Sequence, residues 1–151
     1  MTELEKILWT SASTILGGVI VFVAGQLLSR FLIEPIQELK KAIGEVQFNL
    51  AFYAPIIQTP DSRNRESSEK AYDAIMKSSC DLLTKAAAIP FYRFLPNKFV
   101  LPMQNVSKAA VDLRALTTFL HETGEKAASH IEEVNRRVES IQRQLQLRPL
   151  E

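Results

Sequence analysis

The side chains that most often do chemistry are few in this sequence and badly spaced to cooperate. Its two histidines, His121 and His130, lie nine positions apart. Two ligands on one helix face need a separation of about four or seven, so the pair reads as solvated helix histidines flanking Leu120 and Ile131. The single cysteine, Cys80, has no histidine near it in sequence and sits beside a core position of the helical pattern, which points to a buried structural thiol rather than a nucleophile. One cysteine also permits no internal disulfide and no Cys-cluster zinc site. Glu132-Glu133 reads as surface charge on a helix, and Ser67-Ser68 and Ser78-Ser79 lack the strand-to-helix setting of a nucleophile elbow. Gly17, Gly18, Gly25, Gly44 and Gly124 match neither the dinucleotide nor the P-loop spacing. Phe91, Tyr92, Arg93 and Phe94 could stack on nucleobases, but a net charge of +1 and a sequence pI near 7.9 leave no basic stripe for a phosphate backbone. These spacings predict a non-enzymatic protein with no metal, no cofactor, no small-molecule substrate and no nucleic-acid partner.

What the sequence does carry is a strongly uneven distribution of apolar residues. Ile7–Ser29 is a run of 23 residues without a charge, longer than the roughly 18 that mark a transmembrane candidate. A cleaved signal peptide would need a basic n-region and a short apolar core. The tail here, residues 1–6, holds two acids and one base, so a retained transmembrane helix over residues 7–29 is expected. Trp9 lies near its N-terminal edge, where an amphipathic ring suits the interface. Lys6 flanks one side; Arg30, Lys40 and Lys41 flank the other. That bias predicts an exported N-terminus and a cytoplasmic C-terminal part of a single-pass cell-membrane protein. Inside the run, Ser11, Gly18 and Gly25 recur every seven residues, with Thr14 one turn before Gly18. Such a small-residue stripe predicts association between spans. No charged residue or histidine lies within it, which argues against an ion or proton relay.

Beyond the membrane the periodicity is helical throughout. In residues 30–55 the stripe Ile36, Leu39, Ile43, Val46, Leu50 and Tyr53 predicts an amphipathic juxtamembrane helix. Pro35 either starts it or kinks a continuous one. The order of a span, Arg30, Pro35-Ile36 and Leu39 resembles the first helix of a HAMP signalling linker over one short stretch. The Gly-Asp that should follow is absent, as is a second helix opened by a glutamate, so the resemblance assigns no family. Residues 56–89 form a connection and a second helix, starting at Thr59-Pro60 or nearer Ser67, with Tyr72, Ile75, Ser79, Leu82, Ala86 and Ile89 on one face. Ser79 and Ala86 make that face narrow enough for close packing of another helix.

Residues 90–102 are a loop enclosed by Pro90, Pro96 and Pro102, rich in Phe91, Tyr92, Phe94 and Phe99, with Arg93 and Lys98 interleaved. If the helices before it run antiparallel, it returns to the bilayer and forms a membrane-interfacial loop; the other reading is a cap on the helical core. Residues 103–148 keep one heptad-like stripe from Val106 to Leu145 without a phase reset at Thr123-Gly124. That predicts a single coiled-coil-like helix of about 45 residues, roughly 65 Å long; a break at Gly124, giving a compact four-helix bundle, is the alternative. A continuous helix would overshoot its neighbours by roughly 25 Å, leaving Ile131, Val134, Val138, Ile141 and Leu145 as an oligomerisation or partner face with no acid beside Arg137 to fix the pairing. The expected protein is therefore all-α: a membrane-anchored helical module acting by homo-oligomerisation or by binding a helical protein partner. A membrane effector whose spans form a pore, or an accessory subunit of a membrane enzyme, are the alternatives.

Overall fold

The computed structural model describes residues 2–59, 64–97, 99–120 and 130–147, and helices are its only regular elements among them. The chain opens with α1, Glu3–Leu28, passes through a π-helical turn, Ser29–Ile33, and continues as α2, Glu34–Phe52. A short α3, Ala54–Gln58, precedes α4, Arg65–Ala87. After a 3-10 turn at Tyr92–Phe94 come α5, Met103–Phe119, and α6, Ile131–Leu145.

Pro35 neither starts a separate helix nor breaks the first one. A proline ring has no N–H and collides with the carbonyl four residues back. The chain absorbs this by widening one turn, so that the Glu34 N–H reaches the Ser29 carbonyl five residues earlier. The result is one uninterrupted helical rod, Glu3–Phe52, 50 residues long and about 75 Å from end to end. It stops where Tyr53 caps α2 by donating to the Asn49 carbonyl, and Pro55 opens α3.

The stripes fold onto each other as an antiparallel bundle of α2, α4, α5 and α6. Asn49 Nδ2 donates to Ser78 Oγ at 2.8 Å, and Lys85 meets Glu38 at 3.7 Å, so α4 descends along α2. Ser79 and Ala86 are buried as the narrow face expected, and Ser79 Oγ donates to the Ala110 carbonyl of α5 at 2.9 Å. A side-chain to main-chain bond of that length between helices requires close approach, which the fully buried Ala109 and Ala110 allow. The core centres on Leu39, Val46, Leu50, Ile75, Leu82, Leu113, Leu116 and Ile141. The helix α4 begins later than Thr59-Pro60 suggests: Asn64 is the N-cap, its side chain accepting from the Ser67 N–H at 2.7 Å while Ser67 Oγ accepts from the Asn64 N–H.

The continuous 45-residue last helix is overturned. Ser140 Oγ lies 2.9 Å from Asp112 Oδ2, and Asn105 Nδ2 lies 3.5 Å from the Gln144 carbonyl, whereas residues 112 and 140 of one helix would stand about 42 Å apart. The helix ends at Phe119 and α6 runs back along α5, so the compact four-helix alternative describes the chain; Gly124, the expected break point, lies outside the described residues. An unbroken stripe is compatible with both arrangements, because each half of it faces the same core once the chain has turned back. Val134, Val138, Ile141 and Leu145, expected on an overshooting segment, are buried against their own chain. Arg137 does have acids to pair with: Asp112 across the interface at 3.4 Å and Glu133 on its own helix at 2.9 Å.

Candidate membrane-facing end of the bundle

The residues singled out by sequence fall into three places. The first is α1. None of its residues is buried, and no other described helix packs along it. Ser11, Thr14, Gly18 and Gly25 stand exposed on it, and a Cβ added at Gly18 or Gly25 would meet nothing within 4 Å. Thr14 Oγ1 donates to the Thr10 carbonyl in the same helix at 2.9 Å, so its hydroxyl is already satisfied without a second helix. Leu16, Ile20, Val21, Phe22, Leu27 and Leu28 are all more than half exposed. By length and composition this is the one described helix apolar enough to cross a membrane.

The second place is the end of the bundle from which α1 departs. The α2–α4 register set by Lys85 and Glu38, carried one turn further, brings Ala88 beside Glu34 and Pro35, and these residues line one hollow together with Arg30. The chain then enters the proline-bounded loop. Its residues Phe99, Val100 and Leu101 share a second hollow of about 270 Å³ with Ile36, Leu39 and Ile43 of α2 and Leu145 of α6. The later part of the loop is therefore held at this end of the bundle, alongside the first turns of α2, Ile36–Ile43.

The loop has two sides. Val100 is buried, and Tyr92, Leu95 and Leu101 pack against the core. Tyr92 Oη donates to the Leu101 carbonyl at 2.6 Å, tying the two limbs together, and partial burial raises the Tyr92 pKa above its ordinary 10.0. Phe91, Phe94 and Phe99 point the other way, 76%, 83% and 62% exposed. Phe91 holds φ at 56°, in the left-handed region, where a bulky non-glycine residue is unusual. Arg93 is exposed beside them, and Lys98 lies outside the described residues. One side of the loop thus caps the core, and the phenylalanines on the other side face outwards.

The third place is the α5–α6 seam. Beside the buried stripe, Asp112 accepts from Ser140 Oγ, from Gln144 Nε2 at 3.3 Å and from Arg137. Nothing in the spacing of single residues announces this cluster, because its acid lies 25 or more positions from each partner. Two smaller expectations are corrected. Cys80 is exposed rather than buried, since Ser79 and Leu82 take the inward positions of α4 and Cys80 turns outwards. His130 is half-buried rather than solvated; it precedes α6 and stands edge-on to Phe119 with ring centroids 5.3 Å apart. His121 lies outside the described residues. Among the described residues no group of three histidine, cysteine, aspartate or glutamate side chains could hold a metal ion.

Comparison with protein-family models, with curated proteins and with solved structures finds no match for this chain.

Proposed function

We propose that this chain is a single-pass membrane protein whose first helix anchors a four-helix bundle at the cytoplasmic surface, and that it works without catalysis, by offering helical surfaces to a protein partner or to further copies of itself. The observation that carries the reading is the contrast within one rod. From Ile7 onwards α1 is uncharged, mostly apolar and wholly unpacked, while α2, the same helix continued, buries Leu39, Ala42, Val46 and Leu50 in a closed core. Each large apolar side chain left in water forfeits about 1.5–3 kcal/mol, so α1 requires a covering that the chain itself does not supply. A bilayer supplies it along the whole uncharged part at once, because residues 7–28 of the helix reach about 33 Å and span a hydrocarbon core of about 30 Å with some tilt. Arg30, Lys40 and Lys41 beyond the apolar run support the cytoplasmic assignment of the bundle.

The test has two parts. The chain expressed in bacteria should stay in the membrane pellet after alkaline carbonate washing, and a reporter active only after export, fused behind residue 151, should stay silent. Recovery of the chain in the carbonate supernatant would overturn the anchor; a strong reporter signal would reverse the orientation. Dye release from liposomes carrying the purified chain would instead favour a pore formed by the spans.

A further inference from the structure

We infer that the loop of residues 90–102 is a second membrane contact: it lays Phe91 and Phe94 into the headgroup layer of the same leaflet from which α1 emerges, and so fixes the bundle against the bilayer. This rests on the reading that α1 crosses a membrane. Three observations carry it.

The first is height. Ser29 is the last residue of the uncharged run, and Glu34 stands about 7.5 Å further along the helix axis. The interfacial layer of one leaflet is about 5–7.5 Å deep, so Arg30 lies within it and Glu34 at its outer edge. Ala88 shares a hollow with Arg30, Glu34 and Pro35, and α4 points towards the span when it ends. Pro90 and Phe91 follow it directly, at the level of the Arg30–Glu34 turn.

The second is chemistry. Exposed phenylalanines form the outward side of the loop while its tyrosine and aliphatic residues turn in. Arg30, Lys85 and Arg93 stand at this end, and Lys40 and Lys41 follow on the next turns of α2. The facing acids are Glu34 and Glu38, and Glu38 is already engaged by Lys41 at 2.6 Å and by Lys85. A surface of apolar rings rimmed by cations matches a bilayer interface with anionic headgroups.

The third is conformation. Phe91 occupies the left-handed region, which disfavours a side chain of its size. The turn could be made more cheaply by glycine or asparagine. The aromatic ring it presents, three-quarters exposed, is not part of the packing that holds the fold.

The experiment uses the full chain in lipid nanodiscs, with tryptophan fluorescence as the reporter. The native Trp9 reports insertion of α1. In a Trp9→Phe background, Phe94→Trp reports the loop, and Phe48→Trp reports the far end of α2, where Phe48 is 64% exposed and about 28 Å beyond Ser29. The loop indole of Phe94→Trp should be quenched by lipids brominated near the headgroup and should resist aqueous iodide several-fold better than the α2 indole of Phe48→Trp. If Trp9 is shielded from iodide while the loop and α2 indoles are quenched equally by iodide and not by brominated lipid, the loop contact is overturned and the anchor stands. If Trp9 is itself open to iodide, the anchor fails and the loop contact with it. Shielding of the loop indole that disappears on dilution to one chain per nanodisc assigns the surface to a second copy and also overturns the inference. Phe91→Asn with Phe94→Ser should restore iodide access to a tryptophan placed at Phe99, whereas Phe48→Ser should not.

Discussion

Tyr92 and Phe91 are neighbours with opposite tasks, and their tasks separate experimentally. Tyr92 is part of the fold. Its hydroxyl donates to the Leu101 carbonyl, and partial burial favours the neutral phenol, raising its pKa above 10.0. A group whose folded pKa is raised contributes stability that is present below its unfolded value and lost as pH rises through the folded one. The loop should therefore loosen only above about pH 10, read as faster cleavage by a protease within residues 90–102. Tyr92→Phe should cost about 0.5–1.5 kcal/mol at neutral pH by losing the hydrogen bond and should remove that alkaline step. Phe91 is not part of the fold in this sense. Phe91→Asn should leave the thermal midpoint unchanged or raise it by up to about 1 kcal/mol of stability, because asparagine tolerates the left-handed region. A fall in stability of more than that, measured by urea denaturation, would show that the ring is packed in solution.

At the scale of elements, the helices follow from local rules while their partners do not. The Leu39–Val46–Leu50 and Ile75–Ser79–Leu82 stripes are visible in sequence because burial on a helix recurs at three and four. The same rule is blind to chain reversal: Val106–Leu145 reads as one stripe although α5 and α6 run antiparallel. What would have marked the reversal is the pairing of Asp112 with Arg137, Ser140 and Gln144, a long-range juxtaposition with no local signature. That cluster should govern the α5–α6 seam. The side chain of Asp112 is only 14% exposed, so Asp112→Ala leaves the Ser140 hydroxyl without its acceptor, while Gln144 Nε2 keeps only its bond to Ser140 Oγ, and should lower stability by about 1–3 kcal/mol. The exposed pairs within single helices should matter far less. Glu38 and Glu66 have pKa values lowered chiefly by hydrogen bonds from Lys41 and Lys70. A lowered carboxylate pKa contributes stability that is present above the ordinary 4.5 and lost as pH falls through the folded value. Lys41 and Lys70, raised by the same bonds, contribute below 10.5 and lose that contribution as pH rises past it. Thermal midpoints should accordingly be level across neutral pH and decline only at the two extremes. Added salt should blunt these small contributions because the groups face water.

The whole molecule is an apolar rod end joined through a π-helical turn to a closed bundle, and this changes what self-association can mean. Sequence reasoning places the adhesive surface on Ile131, Val134, Val138, Ile141 and Leu145, because it extends the last helix past its neighbours. In the folded chain four of these five are buried, Ile141 completely; Ile131 alone is partly open. Their apolar surface is already satisfied, so any association between copies has to use surfaces that remain uncovered, α1 above all. The two arrangements give opposite outcomes for one variant. If the stripe joined separate chains, replacing Val134, Val138 and Ile141 with serine would reduce the mass of the detergent-solubilised particle and leave each helix standing. With the stripe inside the bundle, the same substitutions bury three hydroxyls where the core has no partners for them and open cavities, at about 2 kcal/mol or more for each site. That sum rivals the roughly 5–15 kcal/mol that holds a typical domain together. The expected result is loss of the cooperative thermal transition and rapid proteolysis after residue 34, while α1 remains protected in the micelle and whatever mass its spans assemble to is unchanged. A variant that kept a sharp transition and only became smaller would return the stripe to the role of an interface between chains.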